Sequence, residues 1–185
     1  MADSDLAQKA WASLQDVGAM LRARWHLKSA QTLGEKVRIW GSPVVWSFGE
    51  LVVGDRVRIV SRPIPTELNV GKGGRLEIGS GSYINYGCSI GATQLIRIGP
   101  RCNIGSHVIM MDNDFHRMEP ERRDELPPSA PIVLEENVWL GVRAIILRGV
   151  TVGAGSVVAA GSIVSKNVPT RVLVGGVPAR VIREL

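Results

Sequence analysis

Cysteine is scarce in this chain of 185 residues, which contains only Cys88 and Cys102. Two cysteines provide no disulfide framework and lack the spacing of a metal site, so we expect a reducing, cytoplasmic location. Aromatic residues are also few, with five Trp, two Tyr and two Phe, whereas glycine reaches 21 and proline 10. Such a chain packs small and β-branched side chains and turns often, which argues against a helical bundle. With 45% hydrophobic residues it can still form the core of one domain.

Long hydrophobic runs and basic clusters are missing as well. No segment approaches the roughly 18 apolar residues of a membrane-spanning helix. The first residues, MADSDLAQKA, include two acids and no apolar run, so we expect no secretory signal. The net charge is +5, but no run of Lys or Arg exceeds two residues and no nucleic-acid motif is present. We therefore expect no nucleic-acid partner and attribute the positive charge to a pocket for an anionic cofactor.

A six-residue repeat is the strongest pattern in the sequence. From Ile78 the units are IGSGSY, INYGCS and IGATQL, then, after two residues, IGPRCN, IGSHVI and MMDNDF; from Leu134 they are LEENVW, LGVRAI, ILRGVT, VGAGSV, VAAGSI and VSKNVP. The first place is Ile, Leu, Val or Met in all twelve, the second is Gly in six, and the fifth is Ser, Cys, Ala or Val in ten. A period of six fits neither a helix nor an alternating strand. It predicts short strands joined by tight corners and stacked into a β-solenoid, and the 8–12-residue strand spacing of a β-sandwich is absent.

Three segments depart from the repeat. Residues 4–31 have apolar residues at helical spacing, namely Leu6, Ala10, Leu14, Val17, Leu21 and Trp25. We assign residues 1–34 to an amphipathic helix ending near Gly34 that covers the open end of the solenoid or packs on a neighbour, and residues 35–185 to the solenoid. The alternative is that basic residues beside Trp25 contact an anionic membrane surface. Residues 61–75 are expected to form an irregular coil of the solenoid or a small loop.

The third departure is the segment 112–131, which contains nine charged residues and four prolines and no inward pattern. A long polar loop leaving a regular solenoid is typical of a functional segment. It contains His116, and histidine can accept and return a proton near neutral pH. His107 is expected at an outward corner and His26 on the helix surface. Cys88 and Cys102 occupy the fifth, inward place of their units and are expected to be buried.

The repeat units and the C-terminal stretch NVWLGVRAIILRGVTVGAGSVVAAGSIVSKNVPTRVLVGGVPARVIREL resemble the hexapeptide-repeat acyltransferases, and residues 134–183 are similar to the maltose/galactoside O-acetyltransferase branch. The resemblance implies a left-handed parallel β-helix of triangular section with three units per coil. It further implies a homotrimer with active sites between subunits, acetyl-CoA as co-substrate, no metal, and a sugar or glycan-precursor hydroxyl as acceptor.

The same resemblance implies roles for individual residues. The segment DFHRMEPERR is similar to the family's catalytic segment, which makes His116 the general base. Its orienting group would be a backbone carbonyl or a carboxylate, with Asp112, Asp114 and Glu125 as the candidates. The implied substrate-binding residues are Asn85, Asp114 and Trp139. The implied acetyl-CoA-binding residues are Gly141 and Val142, whose turn supplies an oxyanion donor, Ala159, Ala160 and Ser165 along the pantetheine, and Lys166, Arg180 and Arg183 at the phosphates.

Other activities remain open from the sequence. The same base could acetylate the amine of an amino-sugar nucleotide or the hydroxyl of an antibiotic. A zinc-dependent carbonic anhydrase would need three outward histidines on neighbouring coils, and only His107 and His116 lie in the solenoid region. A non-enzymatic scaffold is the alternative from a different class.

Overall fold

The computed structural model describes residues 15–185, and in it the chain forms one short helix and a solenoid of three sheets. The helix, α1, covers residues 15–26 of the described part. The first sheet contains, in pairing order, β1 (Thr32–Leu33), β4 (Glu50–Val53), β7 (Arg75–Ile78), β10 (Leu95–Ile98), β13 (Ile132–Leu134) and β16 (Thr151–Val152). The second contains β2 (Arg38–Gly41), β5 (Arg58–Ser61), β8 (Tyr83–Ile84), β11 (Asn103–Ile104), β14 (Trp139–Leu140), β17 (Val157–Val158), β19 (Val172–Gly176) and β20 (Ala179–Glu184). The third contains β3 (Val44–Ser47), β6 (Glu67–Val70), β9 (Ser89–Ala92), β12 (Ile109–Met111), β15 (Ile145–Ile146) and β18 (Ile163–Val164).

Successive strands belong to successive sheets, so each coil contributes one strand to every sheet. Neighbouring strands of a sheet are parallel, except for the antiparallel pair β19–β20. The result is a left-handed parallel β-helix of triangular section, which confirms the predicted fold class. At the second edge the chain passes from the second sheet to the third, and at the third edge it passes from the third sheet to the first.

The core is a continuous column of apolar side chains inside the prism. All twelve residues at the first place of the repeat units are buried, from Ile78 to Val164. The ten small residues at the fifth place are buried too, among them Cys88 and Cys102. The inward positions predicted from the repeat are therefore confirmed. Burial of stacked apolar residues and the parallel strand ladder stabilise each coil against its neighbours.

The N-terminal helix packs on the solenoid through small residues and not through the apolar stripe seen in its sequence. The buried residues of α1 and the turn after it are Ala19, Ala23 and Leu27. Val17, Leu21 and Trp25, which belong to the apolar stripe seen in the sequence, are 48%, 61% and 71% exposed. Small side chains permit the close approach of α1 to the first coil, where the Arg22 Nε donates to the Ile39 carbonyl over 3.1 Å. Of the predicted stripe, Leu6, Ala10 and Leu14 lie outside the described residues.

The observed strands begin and end at different residues from those expected near two of the three segments that depart from the repeat. The helix ends at residue 26 and β1 already begins at Thr32, so the first strand starts before the predicted end of the helical segment at Gly34. Within the expected irregular coil at 61–75, Glu67–Val70 is a regular strand that pairs with β3 and β9. Segment 112–131 contains no strand and a single 3₁₀ turn at Pro120–Arg122. Among residues 15–185 no helix is long and apolar enough to cross a membrane.

Candidate active site

The loop 112–131 leaves the prism at the third edge and is fixed there by a buried carboxylate. Asp112 directly follows β12 and is fully buried. Its Oδ1 accepts hydrogen bonds from the Thr93 amide over 2.8 Å and the Thr93 hydroxyl over 2.7 Å. Its Oδ2 accepts from the amides of Gln94 over 2.8 Å and Leu95 over 2.7 Å. Four donors on one carboxylate compensate for the loss of its hydration.

The two ends of the loop are bonded to each other as well as to the solenoid. The Asn113 Nδ2 donates to the Pro127 carbonyl over 2.9 Å and to the Ser129 hydroxyl over 2.8 Å. The Ser129 hydroxyl is also 2.6 Å from the Thr93 hydroxyl. The Ala130 amide donates to the Asp112 carbonyl over 2.9 Å. The loop is thus closed at its root, which positions the segment between these ends.

His116 lies on this loop with its Nδ1 bonded, and its Nε2 has no hydrogen-bond partner among residues 15–185. Its Nδ1 is 2.9 Å from the carbonyl oxygen of Arg123, across the loop. Because a carbonyl oxygen can only accept, the neutral ring donates from Nδ1 and has its lone pair on Nε2. The ring is exposed and lines an open hollow with Arg117, Met118, Arg123 and Asp124. A fixed tautomer with a free Nε2 is what a general base requires.

The group that orients His116 is a backbone carbonyl, and the three carboxylates proposed from the sequence have other partners. Asp112 is bonded at the loop root, as described. Asp114 pairs with Arg148 of the following coil. Glu125 pairs with Arg122 over 2.7 Å and with Arg117 over 3.2 Å, and these cations hold the pKa of its carboxyl below its usual value, with the Arg122 hydrogen bond as the largest cause.

The second edge brings together several residues that the family resemblance assigned to substrates. Asn85, Gly141 and Ala159 follow β8, β14 and β17 at the same place of their units. Their amides donate up the column, Asn85 to the Ile104 carbonyl over 3.0 Å, and Gly141 to the Val158 carbonyl over 2.8 Å. A Cβ at Gly141 would lie 2.6 Å from the Ala160 amide nitrogen, so glycine is required for this close approach.

The free main-chain donors at this edge are the amides one residue further on. The Gly141 amide is already used in the coil ladder. In the described part of the chain, the amides of Val142 and Ala160 have no backbone acceptor. Both residues are exposed in equivalent turns of consecutive coils. The Gly141–Val142 turn therefore offers an N–H to an anion from Val142 and not from Gly141.

A cleft of about 520 Å³ lies on the outer face of the second sheet beside this edge. Trp139, which is 55% exposed, forms one wall of it, and Asn85 lines it as well. Sequence reasoning missed Tyr83, Asn103 and Asn137, which line the same cleft. The signal was available, since Tyr83, Asn103 and Trp139 all occupy the sixth place of their units and pair in register. Aromatic faces beside side-chain amides suit the apolar faces and hydroxyls of a sugar ring.

The basic residues assigned to phosphates lie near the last coils and are all exposed. Lys166 and Arg180 line one hollow of about 230 Å³ together with Asn167 and Val181. Arg183 lies on β20 outside this hollow, and Ser165 directly precedes Lys166 at the third edge. Within residues 15–185, no carboxylate forms an ion pair with Lys166, Arg180 or Arg183. Two cations that share a hollow can bind a phosphate.

One subunit does not bring all these residues into one cavity. His116 and Lys166 belong to the third edge, whereas Asn85, Trp139 and the Val142 amide belong to the second edge or the adjoining sheet face. The third sheet separates the two edges. The hollow at His116 and the cleft at Asn85 share no lining residue.

His107, Cys88 and Cys102 also lie near these edges, and their side chains are packed against other parts of the solenoid. The His107 ring packs edge-on against Tyr86 with 5.4 Å between ring centroids, and its φ of 60° places it in a tight corner of the second edge. Burial raises the pKa of both Cys88 and Cys102 to about 11. Neither thiol is therefore a nucleophile at neutral pH. Among residues 15–185 no three His, Cys, Asp or Glu side chains are grouped to hold a metal ion.

The chain is similar in sequence to known proteins. A family profile described as the hexapeptide repeat of succinyl-transferase matches residues 131–166. The galactoside O-acetyltransferase of Escherichia coli (strain K12) is 36% identical over 113 residues, which are 61% of this chain and 56% of that protein. The chain thus spans about half the length of these curated relatives.

An N-acetyltransferase and a solved structure extend the comparison. The 2,3,4,5-tetrahydropyridine-2,6-dicarboxylate N-acetyltransferase of Staphylococcus aureus (strain JH9) is 51% identical over 59 residues, which are 31% of this chain and 25% of that protein. The structure of a hexapeptide-repeat-containing acetyltransferase from Vibrio cholerae O1 biovar eltor, complexed with acetyl-CoA, matches with a TM-score of 0.65 and 30% identity. That match covers 90% of this chain and 77% of the other.

Proposed function

Since the chain belongs to the hexapeptide-repeat acetyltransferases, we propose that it transfers an acetyl group from acetyl-CoA to a hydroxyl of a sugar or glycan precursor. The observation that supports this most directly is the state of His116. Its Nδ1 is bonded to the Arg123 carbonyl, its Nε2 is free within the described residues, and its loop is closed at the root by Asp112 and Asn113.

In this proposal His116 moves one proton in each direction. The Nε2 takes the proton of the acceptor hydroxyl while the oxygen attacks the thioester carbonyl carbon. The tetrahedral oxyanion accepts a hydrogen bond from the Val142 amide. As the carbon–sulfur bond breaks, the leaving thiolate receives the proton from Nε2, which gives an acetyl ester and free CoA. The Arg123 carbonyl stabilises the imidazolium that exists between the two transfers.

Binding of the two substrates would use both edges of the prism. The cleft with Tyr83, Asn103 and Trp139 offers aromatic faces and amides to a sugar, and Asn85 extends it towards the second edge. The free amides of Val142 and Ala160, with Ala159 and Ser165, would contact the pantetheine. Lys166, Arg180 and Arg183 would pair with the phosphates.

A second copy of the chain would complete this site. His116 and the Val142 amide must both reach the thioester, yet they lie on different edges of one prism. Side-by-side packing of copies around a threefold axis would place the third edge of one copy against the second edge of the next. We therefore propose a homotrimer with three equivalent sites between subunits. Asp114, bonded to Arg148 on the loop side, would then face the acceptor of the neighbouring cleft.

A second candidate is N-acetylation by the same base. It is favoured by the 51% identity over 59 residues with an N-acetyltransferase, which exceeds the identity with the O-acetyltransferase over its longer match. An amine needs its proton removed as a hydroxyl does, so the geometry of His116 serves both reactions.

Thiol release from acetyl-CoA, measured over pairs of acceptors that differ only in hydroxyl or amine, tests the proposal. We expect release with a sugar or glycan precursor and no comparable release with its amino counterpart when no free hydroxyl is present. Faster release with the amine would establish the second candidate. No release with any acceptor above the hydrolysis rate would contradict both.

A further inference from the structure

The outward face of α1 is an apolar stripe with no partner in the described part of the chain. Val17, Leu21 and Trp25 are spaced four residues apart, so they share one side of the helix. Leu21 is two residues from the buried Ala23, which places it roughly 200° away around the axis. The stripe is therefore largely exposed, and Val17 and Leu21 also border the groove between α1 and the first coil. In the sequence, one step of three residues and two steps of four continue the pattern to residues 14, 10 and 6, which lie outside the described residues.

Basic residues flank this stripe. Arg22, Arg24 and Lys28 are exposed on α1 and the turn after it, and the Lys28 Nζ lies 5.4 Å from the Trp25 ring centroid. Between α1 and the first coil, a groove of about 530 Å³ opens beside Leu21, with Arg24, Lys36 and one carboxylate, Glu35, along it. An apolar stripe with Trp and flanking cations is the composition of helices that lie in a membrane interface.

The charge of the molecule is concentrated at this end. Residues 15–75 contain ten Lys or Arg against five Asp or Glu, a net charge of +5 that equals that of the whole chain. Residues 76–185 contain eleven Lys or Arg against ten Asp or Glu, a net charge of +1. A surface of this charge attracts anionic lipid headgroups and repels the same surface of a second copy.

Further exposed aromatic residues lie on the first coils. Trp46 and Phe48 are 62% and 75% exposed on and directly after β3, the outermost strand of the third sheet. The Gln31 side chain, shortly after α1, donates to the Gly49 carbonyl over 3.2 Å, so the end of α1 lies at the corner that follows Phe48. Among residues 15–185, three of the eight aromatic residues are thus exposed at one end of the prism, where Trp side chains favour the headgroup region.

We propose that this end of the molecule, formed by the stripe of α1, its flanking cations and the aromatic residues of β3, binds the surface of an anionic lipid bilayer without crossing it. The cations would contact headgroup phosphates while Leu21 and Trp25 enter the interface. The inference does not rest on the proposed acetyl transfer, and its test contains no substrate. Its occupant is a membrane, not a second copy of the chain.

Cosedimentation of the full chain with vesicles tests this assignment. The probes are vesicles of phosphatidylcholine with added phosphatidylglycerol and vesicles of phosphatidylcholine alone. We expect binding to the anionic vesicles to be at least about tenfold tighter, and to weaken as salt is added. Arg24→Glu should weaken it by about tenfold or more. The matched control is Arg171→Glu, an equal charge reversal at an exposed residue near the other end of the prism.

A second pair of variants tests the apolar contribution. Leu21→Ser should weaken vesicle binding by about tenfold, because its side chain would otherwise be buried in the interface. Ile182→Ser is the control, since Ile182 is 60% exposed, nearly as much as Leu21 at 61%. Circular dichroism confirms that each variant is folded. Equal binding to both vesicle types, or no binding, overturns the proposal, as does a Leu21→Ser variant that changes only the oligomeric state in size-exclusion chromatography.

Discussion

Replacing Asp112 with asparagine tests whether the root of the loop is held by one buried carboxylate. Oδ1 and Oδ2 each accept two hydrogen bonds, from the amide and hydroxyl of Thr93 and from the amides of Gln94 and Leu95. An asparagine retains one oxygen, so two donors lose their acceptor and face an NH₂ group. Hydrogen bonds to charged groups contribute about 1.5–3 kcal/mol each. We expect Asp112→Asn to lower the free energy of unfolding by about 3 kcal/mol, near the low end for two bonds.

The measurement is thermal and urea unfolding of the variant beside the wild type. For a chain of this length, 1 kcal/mol corresponds to about 2–4 °C in Tm, so the expected decrease is about 6–12 °C. The matched control is Asp114→Asn, which removes a half-exposed carboxylate from its pair with Arg148 and should cost less than about 1 kcal/mol. If Asp112→Asn unfolds with the Tm of the wild type, or if the control is the more destabilised of the two, the bonds to Asp112 do not fix the loop as described.

Three further predictions concern the core, the second edge and the cleft. Gly141→Ala should lower the free energy of unfolding by about 2 kcal/mol, because its Cβ would lie 2.6 Å from the backbone nitrogen of Ala160. Gly161→Ala is the control, because its Cβ would enter open space and only its φ of 69° is unfavourable. It should cost about 1 kcal/mol in the same urea titration. Since burial raises the pKa of Cys88 and Cys102 to about 11, iodoacetamide should label the native protein slowly at neutral pH and faster as the pH approaches that value. The folded state retains these protons more tightly, so stability should also fall as the pH rises from 9 towards 11, and rapid labelling of folded protein at neutral pH would contradict the burial. Trp139→Ala should raise the KM for a sugar acceptor by about tenfold with little change in the KM for acetyl-CoA, and the reverse pattern in steady-state kinetics would remove the ring from the acceptor cleft.

Much of the fold could be predicted because the repeat directly records which side chains point inward. Large apolar residues at the first place and small ones at the fifth fix the positions of two inward side chains in ten of the twelve units, and all of them are buried. The face of α1 could not be predicted in the same way. Amphipathic patterns rank residues by hydrophobicity, whereas the packing of α1 selects the small Ala19 and Ala23 for close approach. The regular strand at Glu67–Val70 was missed because flanking prolines and glycines obscure its inward Leu68 and Val70.

The sequence indicates which residues could belong to the site, but it does not indicate which atoms they contact. A lone histidine in a polar loop can be found in the sequence. Its partner is the backbone carbonyl of Arg123, and every residue has such a carbonyl, so the sequence does not distinguish it. The cleft residues Tyr83 and Asn103 are far apart in the chain and meet only because the coils pair in register. The division of the residues between two edges likewise follows from the three-sheet geometry and is not visible in the repeat units.

Whether His116 is the general base is decided by the rate of thiol release from acetyl-CoA. The rate is measured for wild type, His116→Ala and His107→Ala with one accepted acceptor. General base catalysis contributes about 10²–10⁴-fold, and we expect a loss of that size for His116→Ala. His107→Ala should lose much less, because its ring packs on Tyr86 at a corner of the prism. Equal rates for wild type and His116→Ala, or a larger loss for His107→Ala, would contradict the assignment of His116 as the base.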